Sequence, residues 1–95
     1  MTTIDQIITR IIKEQELIIG PIAWREASKV SGLHIVDQKK GEVYVENQET
    51  APVVVDNLVS QYEHLFGRAS REVCKEAASK LIGDLDPNQI PSSLR

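Results

Sequence analysis

Isoleucines at positions 4, 7, 8, 11 and 12 recur at the three- and four-residue spacing of a single helical face, and Leu17 and Ile18 fall near the same stripe. The spacing predicts a first helix over about 4–18, opened by Thr3-Ile4-Asp5-Gln6 as a capping box with Thr3 as N-cap and Gln6 reaching back. Gly20-Pro21 breaks it, and Pro21 suits the first position of a following helix because its missing N–H has no helical partner there. Ile22, Ala23, Ala27 and Val30 line one side of that second helix, and Gly32 is its natural stop. The period then changes from helical to alternating. Leu33 and Ile35 alternate with His34 and Val36, and Val43 and Val45 alternate with Glu42, Tyr44 and Glu46, across a turn "DQKKG" that ends in a glycine suited to positive φ. This is a β-hairpin. Thr50 is placed to cap a third helix with Pro52 in its first turn and an apolar stripe of Val55, Leu58, Val59, Tyr62, Leu65 and Phe66. After Gly67 a fourth helix carries Ala69, Val73, Ala77 and Leu81, and Gly83 ends it. The segment "DLDPNQIPSSLR", with two prolines, predicts an irregular tail.

The expected order is α-α-β-β-α-α: an α+β domain over 1–83, two helical hairpins packed with a central β-hairpin, followed by the tail over 84–95. Two strands alone are marginally stable, so the hairpin must rest on helices or pair with another chain.

The two helical hairpins echo one another at an offset of 47, the distance from Gly20 to Gly67. Ile7/Val54, Ile8/Val55, Ile11/Leu58, Ile12/Val59, Ile18/Leu65 and Ile19/Phe66 match in character, and Ala27/Cys74 and Val30/Ala77 continue the pattern beyond the glycine. Among these matched positions Glu16/Glu63 and Gly20/Gly67 are identities. Any two amphipathic helical hairpins share such periodicity, so a duplication and a coincidence of period both remain open at this point. In either case a glycine permits a tight corner between helices, and the small residues after it, Ala23 and Ala69-Ser70, permit close approach.

The stretch "IIGPIA", with the helix before it and "WREASKV" after it, resembles uncharacterised helical segments with an I-G-P-[IL]-A core found in some bacterial signalling proteins, serine/threonine kinases among them. "QYEHLFGRASREVCKEA" resembles the same turn with Arg68 where the proline would stand. The resemblance covers about twenty residues in each half and leaves out the hairpin. It implies an accessory or protein-interaction module in a bacterial signalling or regulatory setting.

Composition narrows the chemistry. The chain has 95 residues, 41% apolar and 26% charged, the profile of one globular domain. With Trp24, Tyr44, Tyr62 and Phe66 as its aromatics, the core must rest on Ile, Val and Leu. A chain this short buries a limited fraction of its surface, so a homodimer is expected. The net charge of −3 disfavours general binding to nucleic acid or anionic membranes. No apolar run reaches membrane-spanning length and no signal-peptide pattern opens the chain, so a cytoplasmic location is expected. Cys74, the single cysteine, excludes an intramolecular disulfide and multi-cysteine metal sites.

No catalytic constellation emerges. His34 and His64 lack a second ligand at helical zinc spacing. Asp84-Leu85-Asp86-Pro87-Asn88 copies the first ligand positions of a calcium loop but has Gln89 where the turn glycine belongs and Arg95 where the bidentate glutamate belongs. Cys74 lies on the apolar side of its helix with no neighbouring base. Ser70 lacks a nucleophile-elbow pattern, and the paired carboxylates Glu14/Glu16 and Asp84/Asp86 stand in polar stretches. No cofactor motif is present. Arg68, Arg71 and Lys75 form a basic stripe after the glycine turn, in the manner of a recognition helix, but Glu72 and Glu76 interleave with it. Trp24 beside Arg25 has the chemistry of an interface anchor. The expectation is a non-catalytic protein-interaction or regulatory module of a bacterial cytoplasm, with Trp24, Arg25, Arg68, Arg71 and Lys75 as partner-binding candidates. The alternative is a small dimeric DNA-binding regulator using the basic stripe.

Overall fold

The computed structural model describes residues 2–95. They form helices α1 (Thr3–Ile19) and α2 (Ile22–Ala27), strands β1 (Leu33–Asp37) and β2 (Glu42–Val45), and helices α3 (Ala51–Phe66) and α4 (Arg68–Ala78). Short 3-10 turns precede α3 and follow α4. The α+β order is the one the periodicity predicts, with helices arranged around a β-hairpin.

The cap of α1 sits one residue earlier than predicted. The Thr2 hydroxyl accepts from the Asp5 N–H at 3.1 Å, and the Asp5 carboxylate accepts from the Thr2 N–H at 3.2 Å. Thr2-x-x-Asp5 and Thr3-x-x-Gln6 both have capping-box spacing, and the frame with a carboxylate at the positive helix end prevails. Thr50 occupies the N-cap position of α3, but its side chain makes no capping bond to the helix. Its hydroxyl donates to the Asn47 carbonyl at 3.0 Å, while Asn47 Oδ1 accepts from the Glu49 N–H at 2.9 Å and opens the 3-10 turn leading into the helix.

Ile4, Ile7, Ile8, Ile11 and Ile12 are buried, and meet Val54, Val55, Leu58, Val59 and Tyr62 of α3 in one core together with Ala23, Ala27, Cys74, Ala77 and Ala78. The helical hairpins thus pack against each other within a single chain. The apolar stripes extend further in sequence than the core does. Leu17 is 80% exposed and Ile18 64%, and Leu65 and Phe66 are also exposed. Each pair stands in the last turn of its helix, where the chain leaves for the glycine corner. Of the fourth helix's predicted face, Ala69 is exposed and Val73 half-buried, and α4 ends at Ala78 rather than at Gly83.

The echo seen in sequence is a repeat of hydrogen bonds. At the corners the Gly20 N–H donates to the Glu16 carbonyl and the Gly67 N–H to the Glu63 carbonyl, both at 2.9 Å. The next contacts are reciprocal between the two halves. Gln15 Nε2 of α1 donates to the Ser70 carbonyl of α4 at 3.0 Å, and the Tyr62 hydroxyl of α3 donates to the Ala23 carbonyl of α2 at 2.7 Å. Gln15 and Tyr62 are 47 apart, as are Ala23 and Ser70. Trp24 Nε1 donates to Glu16 at 2.9 Å, and its counterpart Arg71 lies 3.8 Å from the counterpart carboxylate of Glu63. These bonds recur at one fixed offset of 47, so the two halves share a repeated pattern of long-range contacts.

The repeat also explains how the hairpin and the tail are held. β1 pairs antiparallel with β2 in the register Leu33↔Val45, His34↔Tyr44 and Ile35↔Val43, with an irregularity before Asp37 that leaves Val36 unpaired and exposed. Leu33, Val43 and Val45 turn inward, β2 rests on α1, and the Thr9 hydroxyl donates to the Gly41 carbonyl at 2.7 Å. Residue 56 is the counterpart of Thr9, and there the Asp56 carboxylate accepts from the Ser93 N–H at 2.9 Å and from the Ser92 hydroxyl at 3.0 Å. The segment 84–95 has no α-helix or strand, but its last turn docks on α3 and α4 with Pro91, Ser93 and Leu94 buried. It occupies on α3 the place that the hairpin occupies on α1.

Candidate functional site

Of the partner-binding residues expected from sequence, Trp24 is buried, and the other four stand on α2 and α4. Trp24 is 3% exposed, its indole ring in the core and its N–H spent on Glu16, so it anchors α2 rather than presenting a contact. Arg25 is exposed on α2. Arg68 is exposed at the start of α4, Arg71 is half-buried against Glu63, and Lys75 is half-buried further along. Trp24 is one of four aromatic residues in the sequence, and its indole is spent on the core instead of on the surface.

Cys74 is fully buried in α4 and receives the Gln15 amide N–H at 3.5 Å. Burial pushes its thiol up to about 11, which leaves it protonated and unreactive near neutral pH. The Tyr62 hydroxyl is likewise pushed above its ordinary range by burial. His34 stacks on Tyr44 with ring centres 4.8 Å apart, and its Nε2 lies 3.0 Å from Glu46, an arrangement on the outer face of the hairpin. Among the described residues no group of three metal-ligating side chains comes together, and no helix is long and apolar enough to cross a membrane.

A groove of about 860 Å³ runs between α1 and α4 and is closed at one side by the hairpin turn. Its apolar lining is Ile18, Val73 and Ala77. Arg10 and Lys13 of α1, Lys40 of the hairpin turn and Lys80 just after α4 stand around it, with Glu14 and Glu76. All six charged side chains are exposed. Among the described residues none of the four cations lies within ion-pair distance of a carboxylate; the pairs present are Lys29–Glu26, His34–Glu46 and Arg71–Glu63. The groove therefore carries net positive charge in a chain of net charge −3.

Sequence reasoning did not find these four cations as a set. They come from three separate segments, and only the packing of α1 on α4 and the anchoring of the turn on Thr9 bring them together. The signal available in sequence was the pair Lys39-Lys40 in the turn and the two basic residues on the outer face of an otherwise isoleucine-rich helix.

In comparisons with protein families, with curated proteins and with solved structures, nothing matches this chain. The class it belongs to is accordingly defined by its own architecture, a small α+β domain of helices around a β-hairpin.

Proposed function

We propose that this chain is a non-catalytic protein-interaction or regulatory module that receives a partner polypeptide in the groove between α1 and α4. The observation that carries this reading is the groove itself: an open trough lined in part by apolar side chains and ringed by cations that make no ion pair among the described residues. Apolar floors with polar rims are the anatomy of protein recognition surfaces. The thiol of Cys74 is sequestered in the core. The I-G-P-I-A resemblance supports placing the module in a bacterial signalling chain.

The competing DNA reading relied on Arg68, Arg71 and Lys75. Arg71 faces Glu63, and Glu72 shares the helix, so that stripe offers phosphate a surface of mixed sign.

A photo-cross-linking residue at Gln6, inside the groove, is compared with one at the counterpart Val53, which is 57% exposed. The expected result is a discrete polypeptide adduct from position 6 and none from position 53, with the adduct partner binding the chain when purified. An adduct with a second copy of this chain would identify the partner as itself and the module as a homodimer. Adducts with nucleic acid, or none from position 6, would overturn the reading.

A further inference from the structure

The 47-residue correspondence supplies a comparison within the molecule, because the α1 and α4 positions that line the groove have counterpart positions on α3 and α2. On the matching helix α3, Arg10 corresponds to Asn57 and Lys13 to Ser60, while Lys40 and Lys80 fall opposite Pro87 of the tail and Leu33 of β1, in elements of a different kind. Both α1 cations are thus replaced by uncharged residues. The charge of the α1 wall is therefore not a requirement of a helix packed in this way.

The counterpart surface is also bridged where the groove is open. At the positions equivalent to Glu14 and Val73 stand Gln61 and Glu26, and Gln61 Nε2 donates to Glu26 at 2.8 Å across the helices. Lys29 donates to the other Glu26 oxygen at 2.9 Å, so that cation is already committed. Glu14 and Val73 make no such bridge, and the equivalent of Lys29 is Glu76.

From these observations, and resting on the interaction reading above, we infer that the α1–α4 groove is a docking site for an acidic amphipathic helix. Glu14 lies one helical turn from Arg10 on α1 and can offset it. Lys13 of α1 and Lys40 of the hairpin turn make no ion pair among the described residues and are the charges left for a partner. The groove runs from Gln6 to Ile18, roughly 18 Å at the helical rise, which matches about three turns of a bound helix. The apolar face of that helix would lie on Ile18, Val73 and Ala77, and its carboxylates would meet Lys13 and Lys40. This is the helix-in-groove mode of recognition, with charge selecting the partner.

The test uses the full chain and a fluorescent three-turn peptide with leucines on one face and glutamates on the other. Two further probes are the same peptide with lysines for glutamates and a short DNA duplex. The acidic peptide is expected to bind at least tenfold more tightly than the basic one, with affinity falling as salt is raised. Backbone amide shifts should map to Lys13, Lys40, Val73 and Ala77 and leave Asn57 and Ser60 unmoved. The double variant Lys13→Glu/Lys40→Glu should lose about tenfold or more in affinity, with circular dichroism unchanged because both side chains are exposed. Equal binding of both peptides, shifts on the α2–α3 side, or tighter binding of the duplex would each overturn the inference. If peptides of either charge bind alike while position 6 still cross-links a polypeptide, the acidic specificity fails and the interaction reading stands.

Discussion

Replacing Gly20 or Gly67 by alanine isolates the cost of the two corners on which the repeat turns. Gly20 has φ 76° and ψ −162°, and Gly67 has φ 90° and ψ 178°. Both lie in a region essentially reserved for glycine, where another residue costs about 1–3 kcal/mol. Packing adds nothing to that figure, since a Cβ built at either position meets no atom within 4 Å. Alanine also restricts the unfolded chain, which returns about 0.4–1 kcal/mol. The net expectation is a loss of roughly 1–2 kcal/mol at each corner, or a drop in Tm of about 4–16 °C for a domain of this size. Gly83 is the internal control, because it has no positive φ and a Cβ there also meets open space. Gly83→Ala should be neutral or gain up to about 1 kcal/mol. Urea denaturation followed by far-UV circular dichroism measures all three variants. The two corner variants should fall together, as the matched hydrogen bonds require. Wild-type midpoints for Gly20→Ala and Gly67→Ala, or an equal loss in Gly83→Ala, would refute the account of the corners as backbone strain.

Trp24→Ala should cost about 3–5 kcal/mol because it removes a buried indole, so the variant unfolds at markedly lower urea instead of merely losing a surface contact. Tyr62→Phe deletes the buried donor to the Ala23 carbonyl and should lose about 1–2 kcal/mol with no change in secondary structure, read in the same denaturation assay. Glu26 is held below its ordinary value of 4.5, first by the Lys29 ammonium and then by the Gln61 amide. A depressed carboxyl stabilises the fold above its unfolded pKa and loses that contribution as pH falls through the folded value. Stability should therefore decline on acidification below about pH 4.5, and Glu26→Gln should flatten that decline in a series of Tm measurements.

Much of the architecture was legible because it is local. The isoleucine spacing of α1, the switch to alternation at Leu33 and the glycines at 20 and 67 each act within a few residues, where period and φ preference decide the outcome. The errors have the same origin. Two overlapping capping frames stood at the start of α1, and sequence pattern alone did not rank Thr2-Asp5 above Thr3-Gln6. The stripes at Leu17, Ile18, Leu65 and Phe66 continue in period beyond the point where a partner helix exists to cover them.

What the sequence determined by itself was the set of elements, their order and the corners between them, since these follow from side-chain periodicity and backbone preference. What only the tertiary structure decided was which surfaces meet. It placed Trp24 inside and turned a loose echo of apolar positions into reciprocal bonds from Gln15 to Ser70 and from Tyr62 to Ala23. It docked the last turn on Asp56 in the place the hairpin takes beside Thr9. It also gathered Arg10, Lys13, Lys40 and Lys80 around one groove. Contacts between residues thirty to seventy positions apart depend on how whole helices pack, and no local pattern in the chain encodes that distance.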